Sequence, residues 1–149
     1  MTTAAKAFSG GCQCGAVRYH TELGPPPGKV HYCHCRMCQR AVGNVFATLV
    51  PVLKEKLRWE GEPSVFRSSS VATRGFCGHC GTPLSMAYDQ SRWMCVTLGS
   101  VDDPSALPPE IHFGVESKLP WLQIADDLPR EATDEVRFPG MVNHQRPPE

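Results

Sequence analysis

Cys12-Gln13-Cys14 near the start of the chain and Cys77-Gly78-His79-Cys80 in its middle are the sequences that decide the fold. Zinc binds thiolates at ~2.3 Å in a tetrahedron, and CxC or CxxC spacing brings two sulfurs from one turn onto one ion. Joining the two pairs closes a long loop that otherwise costs entropy. We therefore predict a structural zinc site. Its ligands are Cys12, Cys14, Cys77 and Cys80.

A further cluster, Cys33-His34-Cys35-Arg36-Met37-Cys38, places three cysteines within six residues. Three thiolates seat a zinc ion without saturating it, whereas a closed structural site uses four protein ligands. The open position can accept a thiol, which loses its proton there, or a carbonyl oxygen, which the ion polarises. We predict that Cys33, Cys35 and Cys38 hold a catalytic zinc, which gives two zinc ions per chain. The alternative is a second structural site completed by a histidine or by Cys95.

Length and composition indicate one domain with much β-structure. The chain has 149 residues, of which 41% are hydrophobic and 20% charged, and its 13 Gly and 14 Pro signal many turns. We expect a domain core over residues 8–130 and a partly disordered tail over residues 131–149. The predicted class is all-β, mainly antiparallel, with little helix.

Short apolar or alternating segments are the candidate strands, and turn residues separate them. The proline run Gly24–Gly28 is predicted to be an extended loop between two strands. A helical turn is expected only over Met37–Val42. The candidate strands are Gly15–His20, Asn44–Val52, Lys56–Trp59, Ser64–Ser68, Ala72–Phe76, Pro83–Tyr88 and Arg92–Leu98.

Charge and cysteine usage narrow the possible partners and compartment. Fifteen Lys and Arg balance fifteen Asp and Glu, so the basic footprint of a nucleic-acid binder is absent. Residues 1–11 contain one lysine and no apolar run, and no window reaches the length of a membrane span. We expect a cytoplasmic protein that binds neither nucleic acid nor membrane. Clustered cysteines in a reducing compartment favour metal over the alternatives of disulfides or CxxC redox chemistry.

Three ordered motifs resemble the glutathione-dependent formaldehyde-activating enzymes, which share a zinc-binding β-tent fold with centromere protein V. The motifs are the sequences at residues 10–19, 33–40 and 76–84, and a weaker one follows at residues 111–121. The resemblance covers residues 10–129 and includes all seven clustered cysteines. It implies a structural zinc on the first four ligands and a catalytic zinc on Cys33, Cys35 and Cys38, which is the division that ligand counting suggests.

The resemblance implies carbon–sulfur lyase activity, in which glutathione adds through its sulfur to formaldehyde and gives S-(hydroxymethyl)glutathione. The expected partners are therefore a small-molecule thiol, such as glutathione, and formaldehyde or another small aldehyde. Proximity and deprotonation are the expected contributions of the enzyme. Two alternatives remain open: a non-catalytic, zinc-stabilised interaction module, and a zinc-ribbon nucleic-acid binder, which the neutral charge disfavours.

Other residues near the motifs receive ordinary structural interpretations. We expect Cys95 to be a core thiol. His34 and His79 lie between ligands and are expected to point away from the ions. The weaker motif supplies four polar or aromatic residues that we expect in an ordinary strand and loop, the alternative being a rim for a glutathione-like anion. These are His112, Glu116, Lys118 and Trp121. Three arginines near the clusters, Arg36, Arg40 and Arg74, are not predicted to be site residues.

Overall fold

Strands and turns dominate the computed structural model, which describes residues 6–133 and 139–142. This confirms the all-β prediction. The strands are β1 Ala7–Gly11, β2 Arg18–Glu22, β3 His31–Cys33, β4 Ala47–Leu53, β5 Arg58–Glu60, β6 Ser64–Arg67, β7 Ala72–Phe76, β8 Pro83–Tyr88, β9 Trp93–Thr97, β10 Ile111–Phe113 and β11 Arg130–Glu131. The helix is α1 Arg36–Val42, and short 3₁₀ turns lie at Lys54–Lys56, Leu98–Ser100, Pro104–Ala106 and Val115–Ser117.

The described strands form two sheets. The smaller sheet is antiparallel and has the order β1-β2-β5, and the larger has the order β11-β10-β3-β4-β9-β8-β7-β6. Within the larger sheet, β10 runs parallel to both β3 and β11, while the other neighbours are antiparallel. The mainly antiparallel prediction therefore holds, with parallel pairing confined to β10 and its two neighbours, β3 and β11. Cys33, the first cysteine of the CHCRMC cluster, ends β3.

The central strands of the larger sheet are buried on both faces. On β4, Val50 and Val52 belong to a core cluster that also includes Tyr19 of the smaller sheet. Leu49, on the opposite face of β4, packs in a second cluster together with Cys33 and Cys38. Burial on both faces explains why β4 is a continuous apolar run rather than an alternating one. The second cluster places the CHCRMC thiols on the face of the sheet that points away from the smaller sheet.

Strand boundaries match the sequence prediction best where the pattern is regular. β7 and β8 begin and end at the predicted residues, and a loop at Gly24–Gly28 joins β2 to β3 as predicted. The strand predicted over Gly15–His20 is correct only from Arg18 onward. Before it, the Cys12 carbonyl accepts from Gly15 N at 3.2 Å and Cys12 N donates to the Val17 carbonyl at 2.9 Å, so these residues form a turn that presents the thiols.

Part of the predicted tail is ordered within the described residues. Arg130–Glu131 pairs with β10, and the backbone of Val142 bonds to Ser70 in both directions, with Val142 N donating to Ser70 Oγ at 2.7 Å. Glu131 and Val142 therefore have defined backbone partners, and partial disorder of residues 131–149 stays a prediction. The rest of the tail prediction, at residues 134–138 and 143–149, lies outside the described residues. Across the described chain, no helix has the length and apolar character that crossing a membrane requires.

Candidate functional site

The CxC and CxxC pairs meet at one edge of the molecule. The Sγ atoms of the four cysteines all lie within 4.8 Å of one another. The Sγ atoms of Cys12 and Cys14 are 3.6 Å apart, and those of Cys14 and Cys77 are 3.7 Å apart. A tetrahedral zinc with bonds of ~2.3 Å requires sulfurs about 3.8 Å apart, so the donor set fits this ion. Cys12 and Cys77 are buried, while Cys14 and Cys80 are exposed.

Each pair lies on a turn that aims backbone N–H groups at sulfur. Val17 N donates to Cys12 Sγ at 3.2 Å, and Cys80 N donates to Cys77 Sγ at 3.4 Å. Glycine closes the CxxC turn, because Gly81 adopts a φ of 82° that other residues rarely adopt. The Thr82 hydroxyl and backbone lower the pKa of Cys80 to about 5. The turn at Thr82 thus favours the thiolate form of Cys80, the form that binds a metal ion.

The CHCRMC cluster is built where β3 runs into α1. Cys33 ends β3, Cys35 caps the helix by accepting from Cys38 N at 3.4 Å, and Cys38 lies in the first turn. The three sulfurs lie within 4.8 Å of one another, and those of Cys33 and Cys35 are 3.4 Å apart. Among the described residues, no fourth Cys, His, Asp or Glu joins this group. The geometry therefore suits an ion with three protein ligands and one open position.

A cation from another strand of the same sheet lies against this cluster. The Arg74 guanidinium on β7 donates through Nη2 to Cys38 Sγ at 3.4 Å and through Nε to Ser68 Oγ at 2.8 Å. Hydrogen bonds from the Cys33 and Cys35 thiols, with the charge of Arg74, hold the pKa of Cys38 well below its ordinary value. Arg74 was not predicted to be a site residue. Strand pairing nevertheless brings its guanidinium to a thiol of the CHCRMC cluster.

Two histidines behind the cluster form a buried chain with Asp126. His34 and His112 are fully buried, and His34 Nε2 lies 2.9 Å from His112 Nδ1. His112 Nε2 donates to Asp126 Oδ2 at 2.9 Å, which leaves its Nδ1 to accept from His34 Nε2. Burial lowers the pKa of His34. Tyr32 stacks on His112 with ring centroids 4.4 Å apart. This chain links β10 to the CHCRMC loop.

Two further contacts hold the CHCRMC loop against β10. Buried Gln39 donates through Nε2 to the His34 carbonyl at 2.7 Å and to the Ser117 carbonyl at 3.1 Å. Gly114, with φ of 68°, packs so closely that a Cβ there would lie 2.8 Å from the backbone nitrogen of Cys35. Residue 114 must therefore be glycine, both because its φ is positive and because a Cβ would collide with Cys35. These restraints fix the position of Cys35 between its two partner thiols.

A cavity of about 720 Å³ opens beside the three thiols. The sulfur-bearing residues form one end, and the walls come from β4, β7, β8, β9 and the loop at residues 68–72. Several walls are large apolar side chains, including Met37, Met86, Trp93 and Phe113. Cys95, predicted as a core thiol, is buried in this wall, and burial raises its pKa to about 12. It does not belong to the three-thiol group.

The remaining residues singled out in the sequence lie outside the thiol groups. His79 is exposed, and Trp121 is 68% exposed. Lys118 Nζ bonds to the Leu122 carbonyl, and the Glu116 carboxylate accepts from Thr133 N at 3.1 Å. None of these four is among the described residues that line the cavity, which agrees with the ordinary loop interpretation. His112 differs, because its contact with His34 connects the weaker motif to the CHCRMC loop.

The sequence profile of the glutathione-dependent formaldehyde-activating enzymes matches residues 7–117, a span that contains both thiol groups. The chain belongs to this family. A protein of Halomonas elongata described as such an enzyme is 28% identical over 129 residues, covering 78% of this chain and 80% of its own length. An uncharacterized lyase of Schizosaccharomyces pombe is 29% identical over 85 residues, covering 57% of this chain and 61% of its own length.

A crystal structure of a Rhodobacter sphaeroides protein has the same fold. It aligns with a TM-score of 0.53 at 19% identity, and the alignment covers 83% of this chain and 99% of that one. Family membership confirms the resemblance carried by the cysteine motifs. It also supports an enzyme of the formaldehyde-activating or lyase kind.

Proposed function

We propose that this protein catalyses the addition of a thiol to a small aldehyde, and the reverse cleavage, beside Cys33, Cys35 and Cys38. One observation carries the proposal: three thiols converge next to a large cavity, and no fourth ligand from the described residues closes the group. Family membership and the names of the relatives support glutathione as the thiol and formaldehyde as the aldehyde. The balanced reaction is RCHO + R′SH → RCH(OH)SR′.

We propose zinc at both thiol groups, with the structural ion on Cys12, Cys14, Cys77 and Cys80. The all-sulfur donor sets and their spacing support this choice. At Cys33, Cys35 and Cys38 the ion would act as a Lewis acid that favours the thiolate form of a substrate thiol and polarises a carbonyl.

The side chains around the cavity supply position and charge. The substrate thiol loses its proton, its sulfur forms a bond to the carbonyl carbon, and a proton reaches the former carbonyl oxygen. Arg74 contributes positive charge 3.4 Å from Cys38 Sγ, where thiolate charge accumulates. The cavity walls hold the aldehyde against the thiol, which converts an encounter between two solutes into a reaction of bound partners. The His34–His112–Asp126 chain keeps the ligating loop in register with β10.

Thiols add to aldehydes without a catalyst, so the assay must separate catalysis from background. Magnetisation-transfer NMR measures exchange between free aldehyde and hemithioacetal at equilibrium, with and without protein. Zinc-loaded protein is expected to accelerate exchange for glutathione and formaldehyde, and Cys35→Ser to abolish the acceleration. His79→Ser, an exposed change between structural ligands, serves as the control. Equal acceleration by Cys35→Ser and wild type under zinc-replete conditions would refute this mechanism. The non-catalytic module predicts no acceleration by either protein.

Three broader properties accompany this proposal. We propose that residues 1–149 form a single domain with its core over residues 8–130, and that the protein works in the cytoplasm, where thiols stay reduced. We propose small molecules as its partners, rather than nucleic acid or membrane. The balanced charge of the chain supports this view. Titration with duplex DNA at low salt tests it, and no salt-dependent binding is expected.

A further inference from the structure

The cavity beside the three thiols is much larger and more apolar than formaldehyde requires. We propose that the carbonyl substrate carries an apolar alkyl or aryl group, which this cavity buries while the aldehyde carbon meets the thiol. This inference rests on the proposed function and specifies its substrate class. A volume of about 720 Å³ lies within the range of pockets that enclose drug-sized ligands. Formaldehyde has one carbon and no group that such walls can recognise.

The walls are built from side chains that favour apolar contact. Met86 is buried at 8% exposure, and Trp93 packs against the loop at Gly24–Gly28. A Cβ added to Gly24 or Gly28 would lie 2.3 Å or 2.8 Å from the Trp93 ring. The loop glycines therefore let the indole approach closely and complete the wall. Methionine side chains adapt their shape to different apolar ligands, so the cavity suits a class of substituents rather than one molecule.

The charges around the cavity are few and mostly engaged. Among the described lining residues, the Lys and Arg side chains are Lys29 and Arg74 and the carboxylate is Asp89. Arg74 bonds to Ser68 and Cys38, while Asp89 pairs with Arg67 at 2.7 Å. Lys29 also lines the cavity and is exposed, so it can meet a carboxylate of an anionic thiol. The apolar interior is thus left to the other substrate, the aldehyde.

Aldehyde chain length is the direct test. Exchange with glutathione is measured by magnetisation-transfer NMR for formaldehyde, propanal, butanal, pentanal and hexanal, and each catalysed rate is divided by its uncatalysed rate. Burial of each added methylene is worth ~0.8 kcal/mol, or about fourfold in kcat/KM, so hexanal should exceed propanal by roughly 60-fold. A flat or falling series with clear catalysis of formaldehyde and propanal overturns the inference and leaves the proposed function standing. No catalysis of any aldehyde overturns both.

A binding measurement separates recognition from turnover. Hexanamide resembles hexanal but does not add thiols, and its binding beside Trp93 should change the indole fluorescence, while Trp93→Phe removes that change. Propanamide should bind roughly 60-fold more weakly. Equal affinity for the two amides would contradict the inference whatever the kinetics show. In a second series the thiol is varied while propanal is kept as the aldehyde, and the ratio of catalysed to uncatalysed rate should not rise steeply. A steep rise in the thiol series without one in the aldehyde series would place the apolar group on the thiol instead.

A wall substitution tests the location. Met37→Gln preserves side-chain length but adds an amide to the half-buried wall beside Cys38. It should lower the hexanal-to-propanal ratio of kcat/KM by several-fold, because a polar group then faces the alkyl chain. Val65→Thr, an equally conservative change at a residue that is 63% exposed and outside the cavity, is the matched control. An unchanged ratio in Met37→Gln, or the same decrease in both variants, would contradict the assignment.

Discussion

Replacing Cys80 with serine should destabilise the zinc-loaded protein by an amount set by chain topology. Cys80 is exposed, so the substitution removes a metal ligand without opening a cavity in the core. Its cluster joins Cys14 to Cys77 across a separation of 63 residues. Treating the metal as a cross-link, closure of a loop of that length in the unfolded chain is worth about 4 kcal/mol. Cys12, Cys14 and Cys77 remain in Cys80→Ser, so we expect a loss that approaches this value as the weakened site releases its ion.

The other thiol group provides the matched comparison. Cys35→Ser also removes one ligand, but its cluster spans only residues 33–38, for which the same relation gives about 2 kcal/mol. Urea unfolding followed by circular dichroism measures both variants. With a denaturant slope of about 2 kcal/mol/M, the midpoint should fall by roughly 2 M for Cys80→Ser and by about half as much for Cys35→Ser.

Chelation separates the loss of the ion from the loss of the side chain. A strong chelator should destabilise the wild type by more than it destabilises Cys80→Ser, because the ion contributes less stability to the variant, which has one ligand fewer. Equal midpoints for the two serine variants would refute the topological reasoning. So would a Cys80→Ser midpoint within 0.3 M of wild type, which corresponds to about 0.6 kcal/mol at the same slope.

Three further perturbations test individual contacts. Gly114→Ala and Gly43→Ala impose the same backbone strain, about 1–2 kcal/mol, because both glycines have a φ of 68°. Only Gly114→Ala should lower exchange activity, because its Cβ would press on Cys35. Equal exchange activity in the two variants would contradict this prediction. The hydrogen bond from His112 is the main cause that lowers the pKa of Asp126 to about 2. The wild type should therefore lose stability as the pH falls from 3.8 to 2, and Asp126→Asn should lack that loss. The same loss of stability in both proteins over this pH range would contradict this prediction. Arg74→Gln should raise the pKa of Cys38 in metal-free protein, because it removes the positive charge beside the thiol. The ultraviolet absorbance of the thiolate measures this pKa, with Arg67→Gln as the control variant. An unchanged pKa in Arg74→Gln would contradict this prediction.

Short-range sequence patterns predicted the features that depend on neighbouring residues. Regular strands β7 and β8 have the predicted boundaries because turns and alternating side chains define them locally. The thiols within each CxC, CxxC or CHCRMC motif converge because the spacing places them on one turn. The pairing of the CxC and CxxC turns followed from counting ligands rather than from periodicity, and the structure brings those four sulfurs together.

Long-range pairing produced what the sequence analysis missed. β1, β3 and β11 were not predicted, and the last two have only three and two residues, too few to show a period. The parallel pairing of β10 with β3 brings His112 to His34 across 78 residues of sequence. His112 was predicted to lie in an ordinary strand, and its backbone does lie in β10. Its side chain is not ordinary, because it is buried and bonded to His34 and Asp126. Arg74 reached Cys38 for the same reason, through sheet order rather than sequence proximity.

Native mass spectrometry of zinc-loaded protein titrated with glutathione tests the central claim most directly, because one spectrum counts both ions and thiol adducts. The account predicts two zinc ions and one saturable glutathione adduct in the wild type. Cys35→Ser should lose the adduct, whereas Cys80→Ser should keep it whenever its three-thiol group retains zinc. Two zinc ions with no adduct at any glutathione concentration, or an adduct that survives in Cys35→Ser, would contradict an open, reactive site at Cys33, Cys35 and Cys38.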